Sequence, residues 1–206
     1  MLRQLLKFET PYIDMQALRA LLRDYQNPKD CIWRLVKKGD LIRLKNGFFL
    51  IRDQIQQDPI PFEQVANLLY GPSYLSLEYA MSFYGMIPEA AYVYTSITVN
   101  RTRCFNTEVG TFSYYYLSLD RYSVGVAHKK NQLGGFSIAT PEKALADHVF
   151  QLCQGLNRED LLIDLTESKR IELSTLKNLD KGLMQQISDV YHSKIIKTLA
   201  ETIISL

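Results

Sequence analysis

Four local signals between residues 14 and 51 restrict the fold more than any other feature of the sequence. Asp14 precedes apolar residues at helical spacing and predicts the start of a first helix. Asn27 and Pro28 predict the start of a second helix, because both residue types favour the beginning of a helix. Gly39 predicts its end, and Asn46-Gly47, placed between two β-prone runs, predicts a tight hairpin.

A helix, a turn, a helix and a hairpin in this order are typical of a winged helix-turn-helix domain. In such a domain the second helix enters the DNA major groove and the hairpin, or wing, lies along the phosphate backbone. Asp30 lies on the second helix and would repel phosphate unless it accepts a hydrogen bond from a cytosine amino group. The candidate DNA contacts are the cationic and polar residues of these two elements together with one tryptophan: Lys29, Trp33, Arg34, Lys37, Lys38, Arg43, Lys45 and Asn46. Winged helices also dock proteins, so a protein partner for this segment stays open.

The net charge of the chain changes sign near the end of the predicted hairpin. Residues 1–52 hold 11 Lys or Arg against 5 Asp or Glu, a formal charge of +6, and residues 53–206 hold 13 against 17, a formal charge of −4. This asymmetry indicates that the two parts face different partners, and a polyanion suits the basic part. The alternative is a solvated basic surface that has no partner.

The sequence predicts two domains of α+β class. Residues 1–53 form the winged helix-turn-helix, the polar segment 54–61 with its two prolines is the linker, and residues 62–206 form an α+β domain. That domain is predicted to contain a small antiparallel sheet followed by C-terminal helices. The predicted helices are 62–70, 73–84, 140–153, 157 or 158 to 167, 174–179 and 184–206. The predicted strands are 92–99, 111–119 and 122–128, and 131–135 is a turn.

Composition excludes several classes of protein. The chain is 47% hydrophobic and 22% charged, and it has no apolar run long enough for a membrane span and no secretory signal. Its three cysteines, Cys31, Cys104 and Cys153, are far apart and form no C-x-x-C pair. These features predict a soluble cytoplasmic protein with no membrane contact, no disulfide scaffold and no zinc site.

No arrangement of residues in the sequence points to catalysis. The histidines His128, His148 and His192 lie on separate predicted elements without metal-ligand spacing, and no phosphate-binding loop or nucleophile elbow is present. Asp147 and His148 are adjacent on a predicted helix, so their side chains diverge by about 100° and cannot orient one another. The sequence therefore predicts no catalytic residue, no metal ligand, no cofactor and no enzyme.

Three stretches together resemble the AbiEi antitoxin family. They are RLVKKGDLIRLKNGFFLI (34–51), PSYLSLEYAMSFYGMIPE (72–89) and FSIATPEKALADHVF (136–150), and the resemblance covers roughly residues 10–155. The chain departs from the family at the end of the wing, where Gly47-Phe48-Phe49 replaces the usual Gly-x-Tyr.

The resemblance implies an antitoxin of a type IV toxin–antitoxin system linked to abortive phage infection. Its N-terminal domain would bind inverted repeats in its own promoter as a repressor, and its C-terminal domain would counteract a nucleotidyltransferase toxin encoded nearby, with no stable complex required. The shared motifs supply the candidate antitoxicity residues Ser76, Glu78, Glu142 and Lys143, of which Glu142 and Lys143 are expected to be exposed. The helix-start signal of Thr140-Pro141-Glu142 favours the other interpretation, that these motifs specify the fold of the second domain.

Two other functions stay open. One is a stand-alone winged-helix transcriptional regulator with a ligand- or partner-binding C-terminal domain, and the other is an enzyme acting on nucleic acid.

Overall fold

The structure, a computed structural model, describes residues 5, 8, 10–57, 61–130 and 134–206, with the main chain alone at 56 and 57. The first elements are β1 (Tyr12–Asp14), α1 (Met15–Leu21), α2 (Pro28–Lys38), β2 (Leu41–Lys45), β3 (Phe48–Ile51) and α3 (Arg52–Gln57). They are followed by α4 (Phe62–Leu69), β4 (Ser73–Leu75), α5 (Leu77–Phe83), β5 (Val93–Thr98), β6 (Arg103–Thr107), β7 (Gly110–Tyr116), α6 (Leu119–Tyr122), β8 (Val126–Lys129) and β9 (Phe136–Ala139). The last are α7 (Pro141–Leu152), α8 (Arg158–Ile163), a π-helical turn (Asp164–Ser168), α9 (Leu173–Lys177), α10 (Lys181–Tyr191) and α11 (Lys194–Ser205). The chain is of mixed α+β class, as predicted.

The local signals of the first segment act as expected, with one exception. Asp14 caps α1 by accepting a hydrogen bond from the Ala17 amide at 2.7 Å, and Gly39 ends α2 in the left-handed region with φ of +80°. Asn27 occupies the N-cap position of α2, but its side chain accepts no bond from the helix backbone. Its Nδ2 instead donates to the Asp30 carboxylate at 2.6 Å.

Strands β1, β3 and β2 form an antiparallel sheet in that order, and both of its faces are covered. Phe49 and Ile51 pack with the buried faces of α1 and α2, whereas Phe48 and Leu50 pack into the larger core formed by the rest of the chain. All four residues of β3 are therefore buried. Of the predicted linker, residues 54–57 belong to α3 and residues 58–60 lie outside the described residues.

The second sheet differs from the prediction of a small antiparallel one. It has six strands in the order β6-β7-β5-β4-β9-β8, and it is mixed, because β5 pairs with β7 and β4 pairs with β9 in parallel. Strand β6 lies at the edge as the antiparallel neighbour of β7. Pairing order depends on contacts between residues far apart in sequence, which periodicity does not encode.

Several predicted element boundaries were wrong. The helix predicted over 73–84 is divided into β4 and α5, because Ser73–Leu75 pairs with β5 and β9 in the middle of the sheet. The strand predicted over 122–128 is reduced to β8, preceded by the short α6. The helix predicted over 184–206 is interrupted at His192, whose φ of +47° is left-handed, and α10 and α11 result. In the turn predicted over 131–135, residues 131–133 lie outside the described residues.

Helix α7 lies at the centre of the larger core. It begins as predicted, with Pro141 in the first turn and Thr140 Oγ1 accepting from the Lys143 amide at 3.4 Å. Residues 142–149 are all buried, since α7 packs against β9, α5, α10 and α11. No helix in the part of the chain that the structure describes is long and apolar enough to cross a membrane.

Candidate nucleic-acid interface

Helix α2 is amphipathic, and its polar face is exposed. Helical spacing predicted an apolar face of Ile32, Leu35 and Val36; Ile32 and Leu35 are buried against the three-stranded sheet together with Cys31, and Val36 is half-buried. The opposite side carries exposed cations, and the hairpin contributes one more. These exposed cations are Lys29, Arg34, Lys37, Lys38 and Arg43.

Trp33 is the most unusual member of the exposed face. Its side chain is 61% exposed, and the Lys37 ammonium lies 4.9 Å from the centroid of the indole ring. A large apolar ring beside cations can contact thymine methyl groups or sugars while the cations bind phosphates. The pair therefore combines apolar and electrostatic contact on one helix face.

Asp30, the single acid of this face, is hydrogen-bonded to neighbouring residues. The Asp30 carboxylate accepts the bond from Asn27, and its main-chain oxygen accepts one from Arg34 Nε at 3.3 Å. The hydrogen bond from Asn27 occupies part of the carboxylate's acceptor capacity. Arg34 is in turn held along its own helix, with Nη2 3.6 Å from Cys31 Sγ.

A groove of about 280 Å³ separates α2 from the hairpin. Lys29 and Trp33 line it from the helix, and Arg43 and Asn46 line it from the hairpin. The Arg43 guanidinium donates to the Asn46 side-chain oxygen, which holds the two hairpin residues together. Four of the predicted DNA contacts therefore meet at one groove.

Lys45 does not join that groove. A β-bulge between Arg43 and Lys45 shifts the register of β2, and bulges redirect side chains. The Lys45 ammonium donates to the Leu69 carbonyl oxygen at the end of α4 and lines a different cleft, of about 480 Å³, beside Tyr12. Burial and the nearby Arg103 lower the pKa of Lys45. The sequence placed Lys45 with Arg43 and Asn46 among the wing contacts, and the structure directs its side chain away from the groove that they line.

Two candidate antitoxicity residues meet in the core at an unpredicted carboxylate, that of Asp147. Asp147 Oδ2 accepts from Ser76 Oγ at 2.6 Å and from the Tyr74 hydroxyl at 3.0 Å. Lys143 Nζ lies 3.6 Å from Asp147 Oδ1, which also accepts from the Tyr191 hydroxyl. All five side chains are fully buried.

The buried ion pair is satisfied by further polar atoms. Lys143 Nζ donates to the Arg121 carbonyl oxygen at 2.6 Å and to the Tyr191 hydroxyl at 2.8 Å. Burial lowers the pKa of Lys143, although Asp147 opposes that shift. Burial and the same carboxylate raise the pKa of Tyr74 and of Tyr191 well above the usual value. The network therefore holds α7, β4 and α10 together.

The expectation that Glu142 and Lys143 are exposed was wrong. Lys143 is 0% exposed, and Glu142 is 7% exposed with its carboxylate accepting from the Asp180 amide at 2.9 Å. Charged side chains are seldom fully buried unless they are paired, and here both find partners from α10 or its N-terminus.

Glu78 belongs to a second polar cluster on the other side of α7. Its Oε1 lies 3.2 Å from His148 Nδ1 and 3.2 Å from Lys169 Nζ. Burial favours the neutral acid, but the His148 ring and the Lys169 ammonium outweigh it and lower the pKa of Glu78 to about 2. Asp147 and His148 thus reach different partners, as their angular separation predicted.

The residues that complete these clusters were not predicted from the sequence. Asp147 follows Lys143 by four positions on one helix, a spacing that signals an ion pair. Tyr74, Tyr191 and Lys169 come from distant segments, and no local pattern marks them.

No protein-family model matches the chain, and no curated protein matches its sequence.

Proposed function

We propose that the N-terminal segment, through Ile51, is a winged helix-turn-helix domain that binds double-stranded DNA. Helix α2 enters the major groove, and the β2–β3 hairpin lies along the phosphate backbone. The observation that carries the proposal is the groove between these two elements, which Lys29 and Trp33 line from one side and Arg43 from the other.

The dimensions and charges of these elements suit DNA. Helix α2 has 11 residues and is therefore about 16 Å long, and a major groove about 12 Å wide admits one helix. Five exposed cations on α2 and the hairpin can each neutralise one phosphate. Arg43 and Asn46, joined at the hairpin tip, supply the backbone contact of the wing.

We further propose that the protein is a cytoplasmic antitoxin that represses its own promoter and counteracts a nucleotidyltransferase toxin encoded nearby. The resemblance of residues 72–89 and 136–150 to the AbiEi family supports this proposal. These two stretches are also in contact in the fold, through the bond from Ser76 to Asp147 and the approach of Glu78 to His148. Because Ser76 and Lys143 are buried, they would contribute to antitoxicity indirectly, by stabilising the packing of residues 72–89 against residues 136–150.

Fluorescence anisotropy tests DNA binding directly. The purified protein is titrated onto a duplex from immediately upstream of its own gene and onto a scrambled duplex, each at two salt concentrations. Tighter, salt-sensitive binding to the native duplex supports an autorepressor. Equal binding to both, or no binding, contradicts autoregulation and turns the search to a protein partner.

Co-expression tests the antitoxin proposal separately. If the adjacent reading frame encodes a nucleotidyltransferase that arrests growth, this protein should restore growth when it is expressed in trans. A toxin whose effect is unchanged contradicts the antitoxin role. Such a result leaves DNA binding intact and favours a stand-alone regulator.

A further inference from the structure

Three side chains with metal-binding atoms come together at the C-terminal end of α7. A ring nitrogen of His148, Cys153 Sγ and a carboxylate oxygen of Asp164 all lie within 4.8 Å of one another. His148 lies on α7, Cys153 is its C-cap residue, and Asp164 opens the π-helical turn after α8. His148 and Cys153 are buried and Asp164 is half-buried, so the cluster is set into the core with one side towards the surface.

The state of His148 is the observation that points to a ligand. Its side chain is 1% exposed, and among the described residues neither Nδ1 nor Nε2 has a partner with hydrogen-bond geometry. Its Nδ1 faces Glu78 Oε1 at 3.2 Å. Buried polar atoms without a partner are rare and costly. A carboxylate at one ring nitrogen, with the other nitrogen free, is the arrangement that orients a histidine for binding a metal ion.

The other two donors already have the spacing of a metal site. The Cys153 thiol donates a hydrogen bond to Asp164 Oδ2, and the sulfur and oxygen atoms are 3.6 Å apart. A sulfur and an oxygen bound to one tetrahedral zinc ion, at about 2.3 Å and about 2.0 Å, lie about 3.5 Å apart. The thiol and the carboxylate would therefore need almost no movement to bind the same ion.

The charge of the surroundings also suits a divalent cation. With the thiol deprotonated by the metal, Cys153, Asp164 and Glu78 carry three negative charges and Lys169, 3.2 Å from Glu78 Oε1, carries one positive charge. The net formal charge of −2 matches one divalent ion. The last turn of α7 contains no basic residue, so the negative end of its dipole also favours a cation.

We propose that His148 Nε2, Cys153 Sγ and Asp164 bind one divalent transition metal ion, with zinc preferred and a water molecule as the fourth ligand. Imidazole and thiolate select zinc and its neighbours, whereas magnesium and calcium require oxygen ligands. The ion joins the end of α7 to the π-helical turn, a distortion that is frequent at functional sites. The site is separate from α2 and the hairpin, so this proposal does not depend on DNA binding and is tested independently of it.

Cobalt titration of the full chain tests this site. Metal-free protein is titrated with Co²⁺, and the thiolate-to-cobalt charge-transfer band and the visible bands of tetrahedral cobalt are recorded. We expect one equivalent to bind, Zn²⁺ to displace it, and Mg²⁺ to have no effect. Cys153→Ser should abolish the charge-transfer band, whereas Cys31→Ser and Cys104→Ser, matched controls at the other two cysteines, should retain it.

Asp164→Asn provides a second variant, at a half-buried position where the fold tolerates change more readily. It should weaken Co²⁺ binding at least about tenfold with an unchanged far-ultraviolet circular dichroism spectrum. Wild-type protein without a charge-transfer band, or a band that survives in Cys153→Ser, overturns the proposal. An unchanged affinity in Asp164→Asn overturns the assignment of that ligand.

Discussion

Replacing Arg34 and Lys37 together by alanine should make DNA binding markedly less sensitive to salt. Both side chains lie on the exposed face of α2 and are not needed for its buried contacts. Each cation that neutralises a phosphate releases condensed counterions, so the affinity falls with salt in proportion to the number of such contacts. The variant should therefore bind more weakly and also respond less to added salt.

The size of the expected change in salt dependence follows from the number of exposed cations on α2 and the hairpin. There are five of them, and Lys45 is not counted because its ammonium donates to the Leu69 carbonyl oxygen. If all five contact phosphates, the logarithm of the association constant falls with the logarithm of salt concentration at a slope of about −4.5. A roughly fourfold rise in salt then weakens binding about 500-fold. Without Arg34 and Lys37 the slope is about −2.7 and the same rise weakens binding about 40-fold.

Fluorescence anisotropy over a series of potassium chloride concentrations measures both slopes. Lys194→Ala with Lys197→Ala is the matched control, because it removes the same charge from exposed positions on α11. Lys45→Ala is a second control, and it should leave the slope unchanged. Circular dichroism establishes that each variant is folded.

Two results would refute this reasoning. An unchanged slope in the Arg34 and Lys37 variant would mean that α2 does not contact phosphate. An equal fall in slope for the Lys194 and Lys197 control would mean that the overall charge, and not the face of α2, drives binding.

Three further predictions concern the stability of the fold, and urea unfolding measures the free energy of unfolding in each case. Asp147→Asn should lower the free energy of unfolding by about 3–5 kcal/mol, because the buried Lys143 ammonium loses its counter-charge. The double variant with Lys143→Met should lose less stability than the sum of the two single variants. Additive losses would argue against an interacting pair. The pKa of Glu78 is lowered from 4.5 to about 2, so this carboxylate should stabilise the fold fully above about pH 5 and lose that contribution as the pH falls towards 2. The contribution to the free energy of unfolding is at most about 3 kcal/mol. Glu78→Gln should remove this part of the pH dependence, and an unchanged pH profile in the variant would refute the prediction. Gly125→Ala should lower the free energy of unfolding by about 2–4 kcal/mol, because φ is +78° and the new Cβ would lie 2.8 Å from Lys143 Cβ. Gly155→Ala, where the new Cβ would have no atom within 4 Å, should lower it by only about 1 kcal/mol. Equal losses would mean that the contact with Lys143 contributes nothing.

The first segment was predictable because its signals are local. Pro28 restricts its own φ, Gly39 adopts a left-handed conformation that other residues disfavour, and Asn46-Gly47 suits a tight turn. The buried and exposed faces of α2 follow from helical spacing alone. For this reason most of the candidate DNA contacts could be assigned from the sequence to the exposed side of α2 or to the hairpin; that they bind DNA stays a prediction.

The errors arose where a distant segment decides the outcome. Ser73–Leu75 reads as the start of a helix, but pairing with β5 and β9 makes it a strand. Lys45 was grouped with Arg43 and Asn46 at the hairpin, but a bulge in β2 directs its side chain towards Leu69. Lys143 resembles an exposed residue of a first helical turn, but Asp147 and Tyr191 surround it in the core.

The sequence by itself determined the α+β class, the helix and hairpin limits of residues 14–51, and the basic character of that segment. These properties depend on the dihedral preferences and charges of single residues and on their spacing along one element. Only the tertiary structure decided the order of the six-stranded sheet, the burial of the ion pair in α7, and the meeting of His148 with Cys153 and Asp164. Those contacts join residues from separate elements, and packing the elements against one another is what creates them.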